Sequence, residues 1–302
     1  MNSVSVVIPY HNRPEFIRQA VESVSAQTVP PQEVLVVDDC SRPENWAAIE
    51  PLGDRARLLR SEVNQGLAGA RNYGARHATG DWLAFNDDDD FWLPNKLERQ
   101  LLYLEQHPDC DAVIAAARVL YPDGSTADWI APARRVDLQD ALYRNPGTVI
   151  TLLVRRSVFA AVGGFDAALR GHEDHDLCIR IVAAGYRLDY LAEPLVVYRR
   201  GGPRPQLSRQ HLRMLDHRLY LLGKHRDLYR QAFGPWGPWR TRARFLRETG
   251  VQLGGPGGRL LWLAGWLLAG GFVRDRYVVP ERRRNTSRQR ASVSRAESPQ
   301  LR

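Results

Sequence analysis

The sequence has few cysteines, and their placement argues against two kinds of structural site. Among 302 residues there are three, Cys40, Cys110 and Cys178, and they form no Cys-x-x-Cys pair. A disulfide framework usually needs an even set of cysteines and a zinc site usually needs paired ligands, so we expect neither. Isolated thiols are typical of a reducing compartment, which favours a cytoplasmic protein.

Membrane-targeting signals are also sparse. The start, MNSVSVVIPYHNRPEF, lacks the basic leader, the long apolar stretch and the small-residue cleavage site of a signal peptide. An apolar stretch at residues 260–273 would reach only about 21 Å as a helix, against a hydrocarbon core of about 30 Å, so it should not span a bilayer. Arginines flank it, so it could lie on an anionic membrane surface. A core helix or a dimer contact is the open alternative.

Charge is divided unevenly along the chain. Residues 1–200 contain 21 Lys and Arg against 28 Asp and Glu, whereas residues 201–302 contain 21 against 6, so the net charges are −7 and +15. A basic carboxy-terminal third can face nucleic acid, an anionic membrane or solvent. The stretch FGPWGPWRTRARF interleaves aromatic rings with arginines, which would suit stacked bases. Nucleic-acid binding is therefore an alternative, although not the one we expect.

Short apolar runs alternate with helical patterns over the first 200 residues. Strands are predicted at 4–9, 33–39, 56–61, 81–85, 111–120 and 191–200, and helices from Pro14 and over 66–78, 96–106 and 171–186. This alternation indicates an α/β fold with a mostly parallel central sheet and flanking helices. A helical extension should follow, with a long basic helix at 210–230, then a break rich in Gly, Pro and Trp. The tail from residue 280 is arginine-rich and predicted to be disordered.

Two acidic runs lie where predicted strands end. These are Asp38-Asp39 and the four consecutive residues Asp87–Asp90. Ligands of open α/β sheets bind beyond the carboxyl ends of the strands. Carboxylates on a rigid sheet suit a hard cation such as Mg²⁺ or Mn²⁺, which keeps positions open for phosphates. The alternatives are a solvated turn that caps the next helix for the longer run and an Asx turn for the shorter one.

Five segments, taken together and in order, closely resemble the family 2 glycosyltransferases. They are VVIPYHNRPEFIRQAVESVSAQT, EVLVVDDCS, NQGLAGARNYGARHATGDWLAFNDDDDFWLPNKLERQ, RRSVFAAVGGFD and GHEDHDLCIRI, within about residues 1–200. The resemblance implies the GT-A fold and an inverting transfer from a nucleotide-diphospho-sugar. It also implies Mn²⁺ or Mg²⁺ as cofactor.

The resemblance makes Asp87–Asp89 the DXD motif of this family. It implies that Asp89 ligates the metal on the donor diphosphate, that Asp87 helps with the ribose or the metal, and that Asp88 lies at the nucleotide-sugar. The leaving nucleotide gains negative charge, which a bridging metal stabilises. Asn86 stands where the family usually has Leu, and Asp88 where it often has a small residue.

Other positions match the nucleotide-binding part of the family. Asp39 resembles the aspartate that accepts a hydrogen bond from the N3–H of uracil, and a carboxylate would accept equally from thymine. Pro9 and Tyr10 match the loop that borders the base. Arg71 matches a residue near the nucleotide, although composition alone would allow a surface arginine on an alanine-rich helix. The expected donor is a UDP-sugar first and a dTDP-sugar second.

An inverting transfer also needs a base on the side opposite the leaving group. The resemblance assigns this role to Asp174, with Glu173 beside it. Acids at a helix start also complement the helix dipole, which is the alternative for both. Asp176 lies further round the same helix and is the weaker candidate.

Three further residues have looser assignments. Trp92 could stack on a sugar or anchor the core. Arg199 and Arg200 stand where relatives carry a histidine-containing loop over the diphosphate, and arginines can clamp phosphate.

These assignments divide the chain into four predicted regions. Residues 1–118 would bind the nucleotide-sugar, 119–205 would bind the acceptor and carry catalysis, 206–279 would form the basic helical extension, and 280–302 the tail. The expected acceptor is a saccharide or a lipid-linked saccharide in surface glycan biosynthesis, met in the cytoplasm or at the cytoplasmic membrane face. A non-catalytic nucleotide-sugar binder is the main alternative.

Overall fold

A sheet of ten strands organises the chain in the computed structural model, which describes residues 3–201 and 210–269. Its strands are β1 Val4–Tyr10, β2 Glu33–Asp38, β3 Arg57–Arg60, β4 Trp82–Phe85, β5 Phe91–Trp92, β6 Ala112–Leu120, β7 Thr126–Trp129, β8 Arg134–Arg135, β9 Leu153–Arg155 and β10 Leu188–Arg199. The main order is β3-β2-β1-β4-β9-β6-β10-β5, with β7 paired to β6 and β8 to β10.

Helices flank this sheet and then form an extension. The flanking helices are α1 Pro14–Ser25, α2 Pro43–Ala47, α3 Gly66–His77, α4 Lys96–Gln106, α5 Leu138–Tyr143, α6 Arg156–Ala161 and α7 Glu173–Ala183. The extension contains α8 His211–Lys224, α9 Arg226–Phe233, α10 Gly237–Leu253 and α11 Gly255–Leu268. Short 3₁₀ turns lie at Glu50–Asp54 and Val149–Thr151.

The parallel half of the sheet brings the two acidic runs to one edge. Strand β1 pairs in parallel with both β2 and β4, with Tyr10 opposite Asp38 and Val7 opposite Phe85. These strands are buried along nearly their whole length, which explains their continuous apolar runs. The carboxyl ends of β2 and β4 therefore flank the end of β1. The α/β fold class is confirmed. Antiparallel β9 pairs with β4 and β6, so it joins this half of the sheet to β6 and β10.

The regions on either side of residue 118 share this one sheet, because β6 and β10 pair in parallel. The predicted boundary at residue 118 therefore does not separate two sheets. The division into a donor-binding and an acceptor-binding region stays a prediction about function. The predicted tail from residue 280 lies outside the described residues.

The helical extension differs from the prediction in two places. The prediction of one long basic helix is wrong, because α8 ends at Lys224 and α9 begins at Arg226. Between them, the Nε2 of His225 lies 2.8 Å from the Oδ1 of buried Asp176. The predicted break rich in Gly, Pro and Trp is largely the start of α10. Pro238 lies in the first turn of that helix, where proline removes no hydrogen bond that the helix would make.

In the described part of the chain, no helix has both the length and the apolar character needed to cross a membrane.

Helix α3 packs directly on the sheet through a glycine, which gives a stability prediction. A Cβ on Gly74 would lie 2.4 Å from Val7 Cγ1 and 2.9 Å from Val37 Cγ2. Because this core cannot yield easily, Gly74→Ala should lower the free energy of unfolding by about 1–3 kcal/mol in a urea titration. The control is Gly223→Ala in α8, where nothing lies within 4 Å of the new Cβ, so it should raise stability slightly. Equal effects of the two changes would contradict the packing argument.

Candidate active site

Asp39 fixes the end of β2 to the start of α3. Its Oδ1 accepts from the backbone N of Gln65 at 2.7 Å, and its Oδ2 from the backbone N of Gly66 at 2.8 Å. Burial raises the pKa of this carboxyl. Each oxygen has a second lone pair, so the carboxylate can still accept from a base imide. Neighbouring Asp38 is wholly buried and accepts from the backbone N of Ser41 at 3.0 Å, so it stabilises the turn after β2. This hydrogen bond spans three residues, whereas that of an Asx turn spans two.

Residues at the end of β1 line the same edge. Pro9 and Tyr10 are buried, and the Tyr10 hydroxyl donates to the Asn45 carbonyl at 2.9 Å, while burial raises its pKa to about 12. These two residues can therefore present mainly backbone to a ligand. His11 was missed from the sequence, yet its Nδ1 lies 2.8 Å from the Asp39 carbonyl oxygen.

Backbone strain marks the loops around the site. In the described residues, the non-glycine residues with positive φ are Asn12 at 57°, Cys40 at 60° and His172 at 65°. They follow β1, follow Asp39 and precede α7, respectively. Such conformations cost free energy and persist where surrounding structure holds them, often at functional sites.

The four consecutive aspartates divide into inner and outer pairs. Asp88 and Asp90 are buried, and burial, the largest cause, raises the pKa of Asp88 to about 8 and that of Asp90 well above its usual value. The side chains of Asp87 and Asp89 are about a quarter exposed. At neutral pH the run therefore carries fewer than four charges, which is how this sequence tolerates the repulsion. The nucleotide-sugar role of Asp88 stays a prediction.

Arg13 is a contact that the sequence did not reveal. Its Nη1 lies 2.8 Å from Asp89 Oδ2 and 3.2 Å from Asp88 Oδ1. Charges on Asp88 and Asp89 raise the pKa of this guanidinium, outweighing the opposite effect of burial. Its position three residues after β1 could have suggested that it reaches the neighbouring strand end.

Arg71 joins the aspartate loop to α7. Its Nη2 donates to Asp87 Oδ1 at 2.5 Å and its Nη1 donates to Glu173 Oε1 at 2.7 Å. The residue is 1% exposed, so a surface arginine is excluded. Burial lowers the pKa of the guanidinium, but the charges of Asp87 and Glu173 outweigh it and raise the pKa overall. One buried cation thus holds the aspartate run beside α7, the helix that carries the predicted base.

This arrangement allows a metal but does not complete its shell. In the described ranges, no three His, Cys, Asp or Glu side chains are grouped to hold an ion. The outer carboxylates of Asp87 and Asp89 are exposed enough to give oxygen ligands. A Mg²⁺ or Mn²⁺ ion typically takes one or two carboxylates and fills its shell with substrate phosphates and water, so the residues fit a donor-dependent site.

Asp174 lies in the first turn of α7, half-buried beside Glu173. Its Oδ1 accepts from the backbone N of His175 at 2.7 Å, and Asn145 also contributes a side-chain hydrogen bond. Burial first, and then the charge of Glu173, raise the pKa of Asp174 to about 7. A carboxylate with a pKa near the working pH suits a general base.

Asp176 has a different environment from Asp174. It is fully buried and lies 2.7 Å from Arg180, 2.9 Å from Lys224 and 2.8 Å from His225. Despite burial, these partners lower the pKa of Asp176 well below its usual value. Asp176 therefore anchors α8 and α9 to α7, a structural role that suits the weaker candidate for the base.

The three loosely assigned residues lie in different environments in the structure. Trp92 is 3% exposed, and Lys96 Nζ lies 4.0 Å from its ring centroid in the core, so stacking on a sugar is wrong for this residue. Arg199 reaches the aspartate loop, where its Nε donates to the Asp89 carbonyl at 3.0 Å. Arg200 is exposed and its guanidinium lies 5.8 Å from the Tyr121 ring centroid.

Helix α8 of the extension also reaches the site. Arg218 Nε donates to His172 Nε2 at 3.3 Å, and burial lowers the pKa of His172 to about 3, so this imidazole accepts as a neutral ring. The sequence did not reveal this contact, because the partners are 46 residues apart and Arg218 lies outside the matching segments.

The Arg71 bridge gives a second stability prediction. Arg71→Met should lower the free energy of unfolding by about 3–5 kcal/mol, because it leaves Glu173 and Asp87 without their shared cation. Arg55→Met is the matched control: its pair with Glu22 is about half exposed and should matter by less than about 1 kcal/mol. Both are measured by chemical denaturation, and a loss at Arg71 no larger than at Arg55 would contradict the bridge.

The family comparison agrees with this geometry. The model for glycosyl transferase family 2 matches residues 5–169. An uncharacterized glycosyltransferase of Haemophilus influenzae is 32% identical over 182 residues, which cover 59% of this chain and 62% of the relative. The amylovoran biosynthesis glycosyltransferase AmsB of Erwinia amylovora is 32% identical over 209 residues, covering 65% and 69%. The match thus spans less than two thirds of the first of these relatives.

Solved structures share the fold of this chain, and they confirm the expected GT-A-like class. S. aureus TarS 1–349 in complex with UDP-GlcNAc has a TM-score of 0.64 at 18% identity, covering 87% of this chain and 79% of that one. The mannosyltransferase PcManGT of Pyrobaculum calidifontis, in complex with GDP-Man and Mn²⁺, has a TM-score of 0.58 at 23% identity, covering 88% and 80%.

Proposed function

Since the chain belongs to glycosyl transferase family 2, we propose that it moves a sugar from a nucleotide-diphospho-sugar to an acceptor hydroxyl with inversion. The observation that carries this proposal is the buried Arg71 bridge, which holds the DXD aspartate Asp87 beside Glu173 and hence beside Asp174. An in-line transfer needs the leaving group and the base on opposite sides of one sugar. The bridge places the two parts of the chain that would perform these roles side by side.

The donor in this proposal is a UDP-sugar first and a dTDP-sugar second. Asp39 is held by two backbone N–H groups at the end of β2 and would accept from the imide of uracil or thymine. Pro9 and Tyr10 would border the base. TarS, which shares the fold, is known in complex with UDP-GlcNAc, and this supports the order. The mannosyltransferase is known in complex with GDP-Man, so guanine nucleotides are tested as well.

Asp89 and Asp87 would hold a Mn²⁺ or Mg²⁺ ion together with the donor diphosphate. Such an ion would stabilise the charge that the leaving nucleotide gains. Arg13 and Arg71 already lie against these carboxylates and would keep the loop in place around the diphosphate. Arg199, which contacts the loop backbone, would limit its movement.

Asp174 would take the proton of the acceptor hydroxyl as the oxygen attacks the anomeric carbon. Its pKa of about 7 lets it be ionised in much of the population at neutral pH and still basic enough to accept the proton. Glu173, paired with Arg71, would orient the helix start. His172 and Arg218 would form part of the acceptor-side wall.

For the acceptor we propose a saccharide, free or lipid-linked, in surface glycan synthesis at the cytoplasmic side of the membrane. The Erwinia relative is an amylovoran biosynthesis glycosyltransferase, which supports a polysaccharide product.

The test is turnover of UDP-sugars with Mn²⁺ and a panel of saccharide acceptors, followed by UDP release and by NMR of the product anomer. We expect UDP release that depends on an acceptor and a product of inverted configuration. A retained configuration would contradict the role of Asp174. Nucleotide-sugar binding without turnover of any donor would favour the non-catalytic binder.

A further inference from the structure

Helix α11 presents large apolar side chains to the outside and packs inward through two glycines, Gly258 and Gly265. Leu260, Leu263 and Leu267 are 69%, 47% and 68% exposed, and they recur at helical spacing on one face. Trp262 and Trp266 are also exposed, one turn apart, on the flank of the helix between that face and the buried glycines. A helix that is apolar around most of its circumference is normally covered by protein or lipid.

The contact between α10 and α11 is made through glycines. A Cβ on Gly258 would lie 2.4 Å from the Gly250 carbonyl oxygen, and one on Gly265 would lie 2.5 Å from the Ala243 carbonyl oxygen. Gly258 and Gly265 are the buried residues of α11, and at 100° per residue they lie opposite the leucine face. Helix pairs that approach through small residues and face outward with large apolar ones are typical of lipid surroundings.

We propose that the outer face of α10–α11, formed by Val251, Leu260, Leu263, Trp266 and Leu267, docks on an anionic lipid bilayer. Helix α11 has 14 residues, so it reaches about 21 Å and would lie in the interface rather than cross. Tryptophans favour this interfacial depth. The proposal does not rest on glycosyl transfer.

Charge identifies the partner as anionic lipid rather than a second copy. Residues 237–268 contain five arginines and one acidic residue, Glu248. Arg240, Arg242 and Arg259 are exposed. A two-fold contact between copies would bring like-charged patches together, whereas an anionic leaflet would complement them. Residues 270–302 have nine arginines against three acidic residues. By charge, this tail would therefore bind an anionic lipid surface more favourably than it would cover the basic α10–α11 region.

The experiment is co-sedimentation of the full chain with vesicles of phosphatidylcholine alone or mixed with phosphatidylglycerol. We expect binding to the mixed vesicles that weakens with salt and is much poorer on phosphatidylcholine alone. Leu263→Ser with Leu267→Ser should weaken binding at least about tenfold. The matched control is Val63→Ser with Leu102→Ser, two exposed apolar residues elsewhere, which should leave binding unchanged.

Three results would overturn the proposal. The first is that the wild type binds neither kind of vesicle. The second is that the two double variants bind vesicles equally well. The third is that the wild type is a dimer, Leu263→Ser with Leu267→Ser makes it a monomer, and neither protein binds vesicles. UDP affinity, measured on the same samples, should not change, which separates this proposal from the proposed function. Tryptophan fluorescence gives a readout that does not depend on destabilisation. Brominated lipids should quench the emission of Trp262→Phe with Trp266→Phe less than that of the wild type. Equal quenching of the two proteins would also contradict the docking.

Discussion

Asp174→Asn is expected to lower kcat by about 10²–10⁴-fold while leaving UDP affinity nearly unchanged, because a missing general base affects the chemical step rather than donor binding. Asparagine preserves the size of the side chain and can still accept from the backbone N of His175. It cannot take the proton of the acceptor hydroxyl. The measurement is steady-state turnover with saturating donor and acceptor, alongside a UDP titration.

The pH profile gives an independent check on the same residue. Burial and Glu173 raise the pKa of Asp174 to about 7, so below that pH the carboxyl is protonated and cannot act as a base. For the wild type, kcat/KM should therefore rise with pH through about 7 and then level off. This limb should disappear from the residual activity of Asp174→Asn. A limb that persists unchanged would assign the titration to another group.

Asp176→Asn is the control that separates catalysis from structure. It removes the charge that Lys224, Arg180 and His225 share, so it should lower the free energy of unfolding by about 3 kcal/mol or more. The protein that remains folded should keep most of its kcat. If folded Asp176→Asn lost more turnover than Asp174→Asn, the assignment of the base would be wrong.

Asp89→Ala is expected to lower kcat/KM by at least about 10²–10³-fold and to remove the dependence of turnover on Mn²⁺ concentration. This loss corresponds to several kcal/mol of stabilisation of charge on the leaving nucleotide. The side chain is one of the two outer carboxylates of the run and lies against Arg13. Turnover is measured over a range of Mn²⁺ concentrations with one fixed donor.

Asp88→Asn is the matched control for that prediction. Burial raises the pKa of Asp88 to about 8, so this carboxyl is mostly neutral at pH 7 and asparagine should replace it with little loss. An effect of Asp88→Asn as large as that of Asp89→Ala would show that the inner pair, not the outer one, handles the donor.

The residues that the sequence located best belong to local patterns. Strands β1, β2 and β4 are continuous apolar runs that end in polar residues, so both their positions and the shared edge of their carboxyl ends could be predicted. The acidic runs follow from that edge. Trp92 shows the limit: a tryptophan after an acidic loop has no local signal for the Lys96 contact that buries it.

The contacts that the sequence did not reveal act across long separations. Arg71 matches a residue near the nucleotide, but its bridge to Glu173 joins residues 102 positions apart. Arg13 meets Asp88 and Asp89 only because β1 and β4 are neighbours in the sheet. In the extension, Gly-Pro pairs predict a break, although proline in a first turn starts a helix equally well.

Calorimetric titration of UDP into the wild-type protein, with and without Mn²⁺, shows whether the strand-end aspartates bind a nucleotide diphosphate together with a divalent cation. dTDP and GDP are titrated in parallel. We expect UDP to bind at least about tenfold more tightly with Mn²⁺ than without it, dTDP to follow, and GDP to bind more weakly than both. No binding of any nucleotide to folded protein, with or without Mn²⁺, would contradict this expectation.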